Sequence, residues 1–183
     1  MRFEKIYCLL FDLDGVLIDG QPLQVQSTLE ILRKYIKCTK DVKSLVNETI
    51  TTKEKLQILN LQGLIKKKEI NKIYFEKKML FEKKALKKIK FSERINNTFK
   101  EIKKRKLKVG VVTNSNYRSA KKILKKLKIL KYLDILVTNG NRIKPKPNPE
   151  PYNYAMLKIK VRKENTLIFE DSPVGLLSAK RTG

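Results

Sequence analysis

Asp12 and Asp14 follow a short apolar run, Ile6 to Phe11, and lead directly into Gly15; Glu170 and Asp171 close another run, Thr166 to Asp171. A third run, Leu107 to Thr113, ends in Thr113, Asn114 and Ser115. Ligands bind at the carboxyl ends of strands in an open parallel sheet, so these ends belong together. A chain with only 18 acidic residues thus puts four carboxylates at two strand ends that can be neighbours. Converging carboxylates repel one another unless a cation sits among them. With no histidine and only Cys8 and Cys38 as thiols, the donors are hard oxygens, which suit magnesium with positions left for water and a phosphate oxygen. A carboxylate held against such a cation can attack phosphorus and form an aspartyl phosphate. A second carboxyl group then protonates the leaving oxygen and later activates water. Asp12 fits the first role and Asp14 the second. Two residues apart, they would face opposite sides of a regular strand, so one site can use both only where the chain leaves strand geometry, and Gly15 supplies that freedom.

The absence of histidine also excludes serine–histidine triads, histidine zinc sites and imidazole acid–base chemistry. The chain has 183 residues, 41% of them hydrophobic, enough for a compact core. The two cysteines read as reduced thiols. No apolar run approaches the roughly 18 residues of a spanning helix, and the first is too short for a signal-peptide core. These features predict a soluble, cytoplasmic protein without a membrane partner.

Four elements must carry the candidate residues: Ile6–Phe11, Leu107–Thr113, Ile135–Thr138 and Thr166–Asp171, each a short β-branched-rich or apolar run. Between the second and third, Ala120, Ile123, Leu124, Leu127 and Leu130 recur at helical spacing over Ser119–Leu130, with lysines on the other face. Ser92–Lys106 begins on a capping serine and repeats Ile95, Phe99 and Ile102. Alternating strands and helices predict an α/β fold, a parallel sheet with right-handed crossovers. From about Asp19 to Phe91 the pattern is helical only: Val25, Leu29, Leu32 and Ile36 share one face, Ile70, Ile73, Tyr74, Leu80 and Phe81 another, and Thr51 with Glu54 forms a capping box between them. The expected organisation is a core of 1–18 and 92–183 with an all-helical cap, 19–91, inserted after the first strand.

The segments FDLDGVLID, VVTNS, KPNPEPY and IFEDSPVG, in this order from position 11 to 175, resemble the four motifs of the haloacid dehalogenase superfamily, most closely its β-phosphoglucomutase-like and phosphoglycolate phosphatase-like branch. The resemblance implies a Rossmann-like core, a helical cap, and Mg²⁺-dependent phosphoryl transfer through an aspartyl phosphate. It makes Asp12 the nucleophile and Asp14 the acid–base. The Asp12 carboxylate, the Asp14 backbone carbonyl, Asp171 and Glu170, directly or through water, become metal ligands. Thr113 and the Asn114 backbone would hold the transferring phosphoryl group, and Lys146 would neutralise nucleophile and phosphate. Lys144-Pro145-Lys146-Pro147 contains the lysine–proline pair twice; the family pattern aligns best with Lys146 to Tyr152. Two departures are visible. Gly20 and Gln21 stand where a small hydroxyl residue is usual, and the family continues past the glycine matched by Gly183 into a further strand, so the sheet is expected to end on an exposed edge.

The expected function is hydrolysis of a small phosphorylated metabolite. A phosphosugar mutase would use the same core residues, but the cap span contains a single arginine, Arg33, and no clear sugar-phosphate clamp. A net charge of +25 suits a nucleic-acid-binding protein with an inactive core, through salt-sensitive phosphate contacts. Its lysines nevertheless fall on the polar faces of helices all round the molecule, which favours a solvated surface that steers anionic substrates. No feature of the sequence specifies an oligomeric state.

Overall fold

The computed structural model describes residues 5–48, 50–140 and 143–183; residues 1–4 and 141–142 of the expected core span and 49 of the inserted span lie outside them. Four strands, β1 (Cys8–Phe11), β2 (Lys108–Asn116), β3 (Ile135–Asn139) and β4 (Thr166–Phe169), form one sheet in the order β3-β2-β1-β4. All pairings are parallel. Cys8 to Phe11 is in register with Lys108 to Val111 on one side and with Thr166 to Phe169 on the other. The carboxyl ends of β1 and β4 therefore finish level, which brings Asp12 and Glu170 out at one edge of the sheet.

The chain divides into two compact units, Met1–Asp19 with Ile89–Gly183, and Gly20–Lys88. In the first, α5 (Glu93–Lys104), α6 (Tyr117–Lys126), α7 (Glu150–Ile159) and α8 (Pro173–Lys180) flank the sheet. Side-chain caps start three of them: Ser92 accepts from the Ile95 amide, Asn116 from Ser119 and Ser172 from Gly175. Each cap satisfies an otherwise orphaned amide. Cys8, Leu10, Val112 and Val137 pack with Tyr152, Ala155 and Met156 of α7 in one buried cluster. Phe11 stacks on Phe169 at 4.6 Å between ring centroids. β4 is an edge strand, and Leu167 and Phe169 are 46% and 36% exposed.

The second unit is helical: α1 (Gln21–Leu32), α2 (Lys40–Asn47), α3 (Thr52–Leu61) and α4 (Ile70–Lys88). Ile31, Leu32, Val42, Val46, Leu56, Leu59, Ile65 and Ile73 form its core. Thr51 and Glu54 make the capping box in both directions. Ile36 packs on this core although α1 ends at Leu32, because the chain folds back through tight turns after Arg33. Phe81 is buried and Phe75 is exposed.

Element ends differ from the sequence pattern where side chains intervene. β2 runs on to Asn116, whose side chain caps α6, so that helix begins at Tyr117. It closes at Lys126, before the left-handed Lys128. β4 stops at Phe169, and Glu170 and Asp171 leave the ladder toward the Ser172 cap. Cys8 is fully buried, and burial pushes its thiol up to about 11, while Cys38 is only partly buried. Because thiolate is the reactive form, iodoacetamide at mildly alkaline pH should modify Cys38 of the native protein and spare Cys8. Mass spectrometry would read one adduct when folded and two after denaturation.

Candidate active site at the carboxyl edge of the sheet

Asp12 is the first residue beyond β1; its amide donates to the Phe169 carbonyl at 2.9 Å, which ties it to the end of β4. The following loop is tight. Gly15, at φ +99°, donates its amide to Ile18 at 2.7 Å, and Asp14 bridges Ile18. This turn takes the chain out of strand geometry directly after the first carboxylate. A side chain is excluded at Gly15 twice over, by its φ and because a Cβ there would fall on the Asp171 carboxylate. A Cβ on Gly175, in the first turn of α8, would likewise fall on the Glu170 carboxylate. Two glycines thus seat the two carboxylates that follow β4.

Asp12, Glu170 and Asp171 each bring a carboxylate oxygen to within 4.8 Å of the others. Lys146 reaches into this group from the loop before α7. It is 5% exposed, and its Nζ donates to Asp12 Oδ1 at 2.6 Å, to the Val112 carbonyl at 2.7 Å and to Glu170 Oε1. Burial pushes Asp12 up to about 7 against the opposing pull of Lys146, with Glu170 and Asp14 adding to the rise. Desolvation raises Asp171 as well. Both shifts arise first from burial, which disfavours the charged carboxylate, and the neighbouring Glu170 adds to each.

The loop carrying Lys146 is clamped by Asn114. Its Nδ2 donates to the Lys146 carbonyl at 3.2 Å and its Oδ1 accepts the Lys146 amide at 3.1 Å. The sequence reading assigned Asn114 a backbone role only; its side chain had no detectable signal, since the partner lies 32 positions away. Thr113 is buried at the end of β2 and its Oγ1 accepts the Ser115 amide at 3.1 Å, which leaves the hydroxyl proton to donate elsewhere. Asp14 lies apart from the three converging carboxylates; its Oδ2 accepts from Ser115 Oγ at 3.3 Å. Lys144, the other lysine before a proline, is exposed, with its amide bonded to Glu150.

Tyr152 is a site residue that the sequence reading did not single out. Fully buried in α7, it donates its hydroxyl to Glu170 Oε1 at 2.5 Å, and its ring lies 4.9 Å from the Lys146 ammonium. Burial and the nearby Glu170 push the phenol far up, so it stays a donor. Its place six residues after Lys146 in the proline-rich segment was the available clue.

The donor set fits a hard divalent cation. All three convergent groups are carboxylates, the thiol of Cys8 is packed in the core, and the two glycine seats leave the Glu170 and Asp171 carboxylates room that a side chain would fill.

A parallel open sheet with a buried lysine and carboxylates gathered at its carboxyl edge has the architecture of an α/β protein with a ligand site at that edge. The family model described as haloacid dehalogenase-like hydrolase matches residues 9–183. The chain belongs to that family and is a hydrolase. It is 29% identical over 179 residues to the "Phosphorylated carbohydrates phosphatase" of Thermotoga maritima, covering 96% of this chain and 81% of that one. A solved structure of a family IA, variant 3 hydrolase of the same superfamily, from Entamoeba histolytica, aligns with a TM-score of 0.82 at 26% identity, covering 97% and 81% of the two chains. The β-phosphoglucomutase of Clostridium difficile shares the fold, with a TM-score of 0.72 at 21% identity over 96% and 81%.

Removing one partner of a buried ion pair leaves its charge uncompensated. Lys146→Met should therefore destabilise the metal-free protein by about 3 kcal/mol, seen as a lower midpoint in urea unfolding. Magnesium should restore more stability to this variant than to wild type. Gly15→Ala should cost on the order of 1–3 kcal/mol from backbone strain and should also weaken divalent-ion binding in calorimetry, because the added methyl displaces Asp171.

Proposed function

We propose that this hydrolase is a phosphatase that removes the phosphoryl group of a small phosphorylated metabolite by transferring it to Asp12 and then to water. The observation that carries the reading is the convergence of Asp12, Glu170 and Asp171 around the buried Lys146 at the end of the sheet. Asp12 would attack phosphorus with one carboxylate oxygen as the P–O bond to the leaving group breaks. Lys146 would keep that carboxylate oriented and offset the negative charge that the phosphate adds. Thr113, with its hydroxyl proton free to donate, and the amide following Thr113 would hold the phosphoryl oxygens. Asp14, carried on the Gly15 turn and held by Ser115, would give its proton to the leaving oxygen. It would then take one from the water that cleaves the aspartyl phosphate. Asp12, Glu170, Asp171 and the Asp14 backbone carbonyl would hold Mg²⁺, which when bound screens the charge between nucleophile and phosphate.

A phosphorylated carbohydrate is the substrate class favoured, on the name of the Thermotoga relative and on the net charge of +25, which draws anions in. The insertion of the helical unit 20–88 directly after the loop that carries Asp14 supports reading it as a cap.

The test is release of phosphate from p-nitrophenyl phosphate and from a panel of phosphosugars. Wild type should be active with magnesium and silent after chelation. Asp12→Asn should lower kcat by at least about 10³-fold, equivalent to about 4 kcal/mol of transition-state stabilisation, with an unchanged circular dichroism spectrum. Turnover that survives in Asp12→Asn, or that ignores chelation, would sink the reading.

A further inference from the structure

Glu170 Oε1 is where two donors meet, the Tyr152 hydroxyl at 2.5 Å and the Lys146 ammonium, and the ring of the first lies 4.9 Å from the second. Among the described residues, the other Glu170 oxygen accepts from Ser172 Oγ at a long 3.5 Å, and Gly175 beneath it presents no side chain. Tyr152 therefore touches both halves of the Lys146–Glu170 pair, the carboxylate through its hydroxyl and the ammonium through its ring face. It comes from α7, which packs on β2 and β3, whereas Glu170 comes from the end of β4. The phenol is fully buried in a cluster with Cys8, Leu10, Val112 and Met156.

We propose that Tyr152 is a positioning residue for the cation site, its hydroxyl fixing the Glu170 carboxylate among the converging acids and its ring holding the Lys146 ammonium beside it. The assignment rests on the phosphatase reading for the identity of the cation. The two contacts make different demands on a substitution. Tyr152→Phe removes the hydroxyl and keeps the ring, whereas Tyr152→Leu removes both. A residue that merely filled the core would lose stability in the second and nothing in the first.

Magnesium binding to the substrate-free protein, followed by calorimetry, separates these cases. Tyr152→Phe should raise the Kd for magnesium about tenfold, the usual effect of losing a hydrogen bond to a ligating carboxylate. The KM for p-nitrophenyl phosphate at saturating magnesium should hold. Tyr152→Leu should weaken magnesium binding further. In a Glu170→Gln background, Tyr152→Phe should have no further effect, because the group it acts through is already altered. Wild type supplies an independent signal: with no tryptophan and 7 tyrosines in the chain, its near-ultraviolet spectrum reports tyrosine environments. Magnesium should perturb that spectrum in wild type and leave it unchanged in Glu170→Gln, whether or not the Tyr152 variants fold. A magnesium affinity in Tyr152→Phe equal to or tighter than that of wild type overturns the assignment, as does its full effect persisting in Glu170→Gln. Wild type that binds no magnesium at all overturns the cation reading itself, and this assignment with it.

Discussion

The ammonium of Lys146, buried between Asp12, Glu170 and the Val112 carbonyl, is the interaction around which the carboxyl edge of the sheet is arranged. Taking a charge out of water costs several kcal/mol unless every proton on it finds a partner. Here its three donors meet two carboxylates and a carbonyl, the carboxylates from just past the ends of β1 and β4 and the carbonyl from Val112 within β2. One side chain therefore ties three strands together where β1 and β4 finish, and the two carboxylate contacts depend on those two strands finishing level. The parallel register of β1 with both neighbours provides that.

The lysine arrives on a loop, and a loop would not by itself fix an ammonium to a few tenths of an ångström. Asn114 supplies the constraint by hydrogen-bonding both the amide and the carbonyl of Lys146, much as a neighbouring strand would. The side where the carboxylates converge is shaped by absent atoms instead: the positions where Gly15 and Gly175 would carry Cβ atoms are taken by the carboxylates of Asp171 and Glu170. Burial makes ionisation costly in this space, and the raised Asp12 and Asp171 express that cost. A divalent cation relieves it, and so does an added proton, so proton and metal compete for the same oxygens.

The helical unit obeys different physics. Its helices rest on ordinary apolar packing around Leu32, Leu56 and Leu59, and on local caps such as Thr51 with Glu54. The net positive charge is carried on surfaces like these, and the unit's lysines make scattered ion pairs, for example Lys84 with Glu30 and Lys34 with Glu76. Exposed pairs of this kind contribute little to stability. Their collective effect is an attractive field for anions.

Local rules made much of this protein legible in the sequence. Apolar runs of four to seven residues marked all four strands, capping residues such as Ser92 and Thr51 marked helix starts, and Asp-Gly and Glu-Asp at strand ends marked where chemistry could gather. These signals are short-range, because propensity, capping and alternation act within a few residues. The tertiary structure alone decided what depends on register between distant segments. It placed the ammonium of Lys146, the lysine the family pattern already favoured over Lys144, against Asp12, 134 positions away, and turned the Asn114 side chain to the loop. It also left the Asp14 carboxylate beside Ser115, outside the three-acid group, and brought the Tyr152 hydroxyl to Glu170. A side chain's type and neighbours state what it can bond, but only the level ends of parallel strands state what is within 3 Å of it.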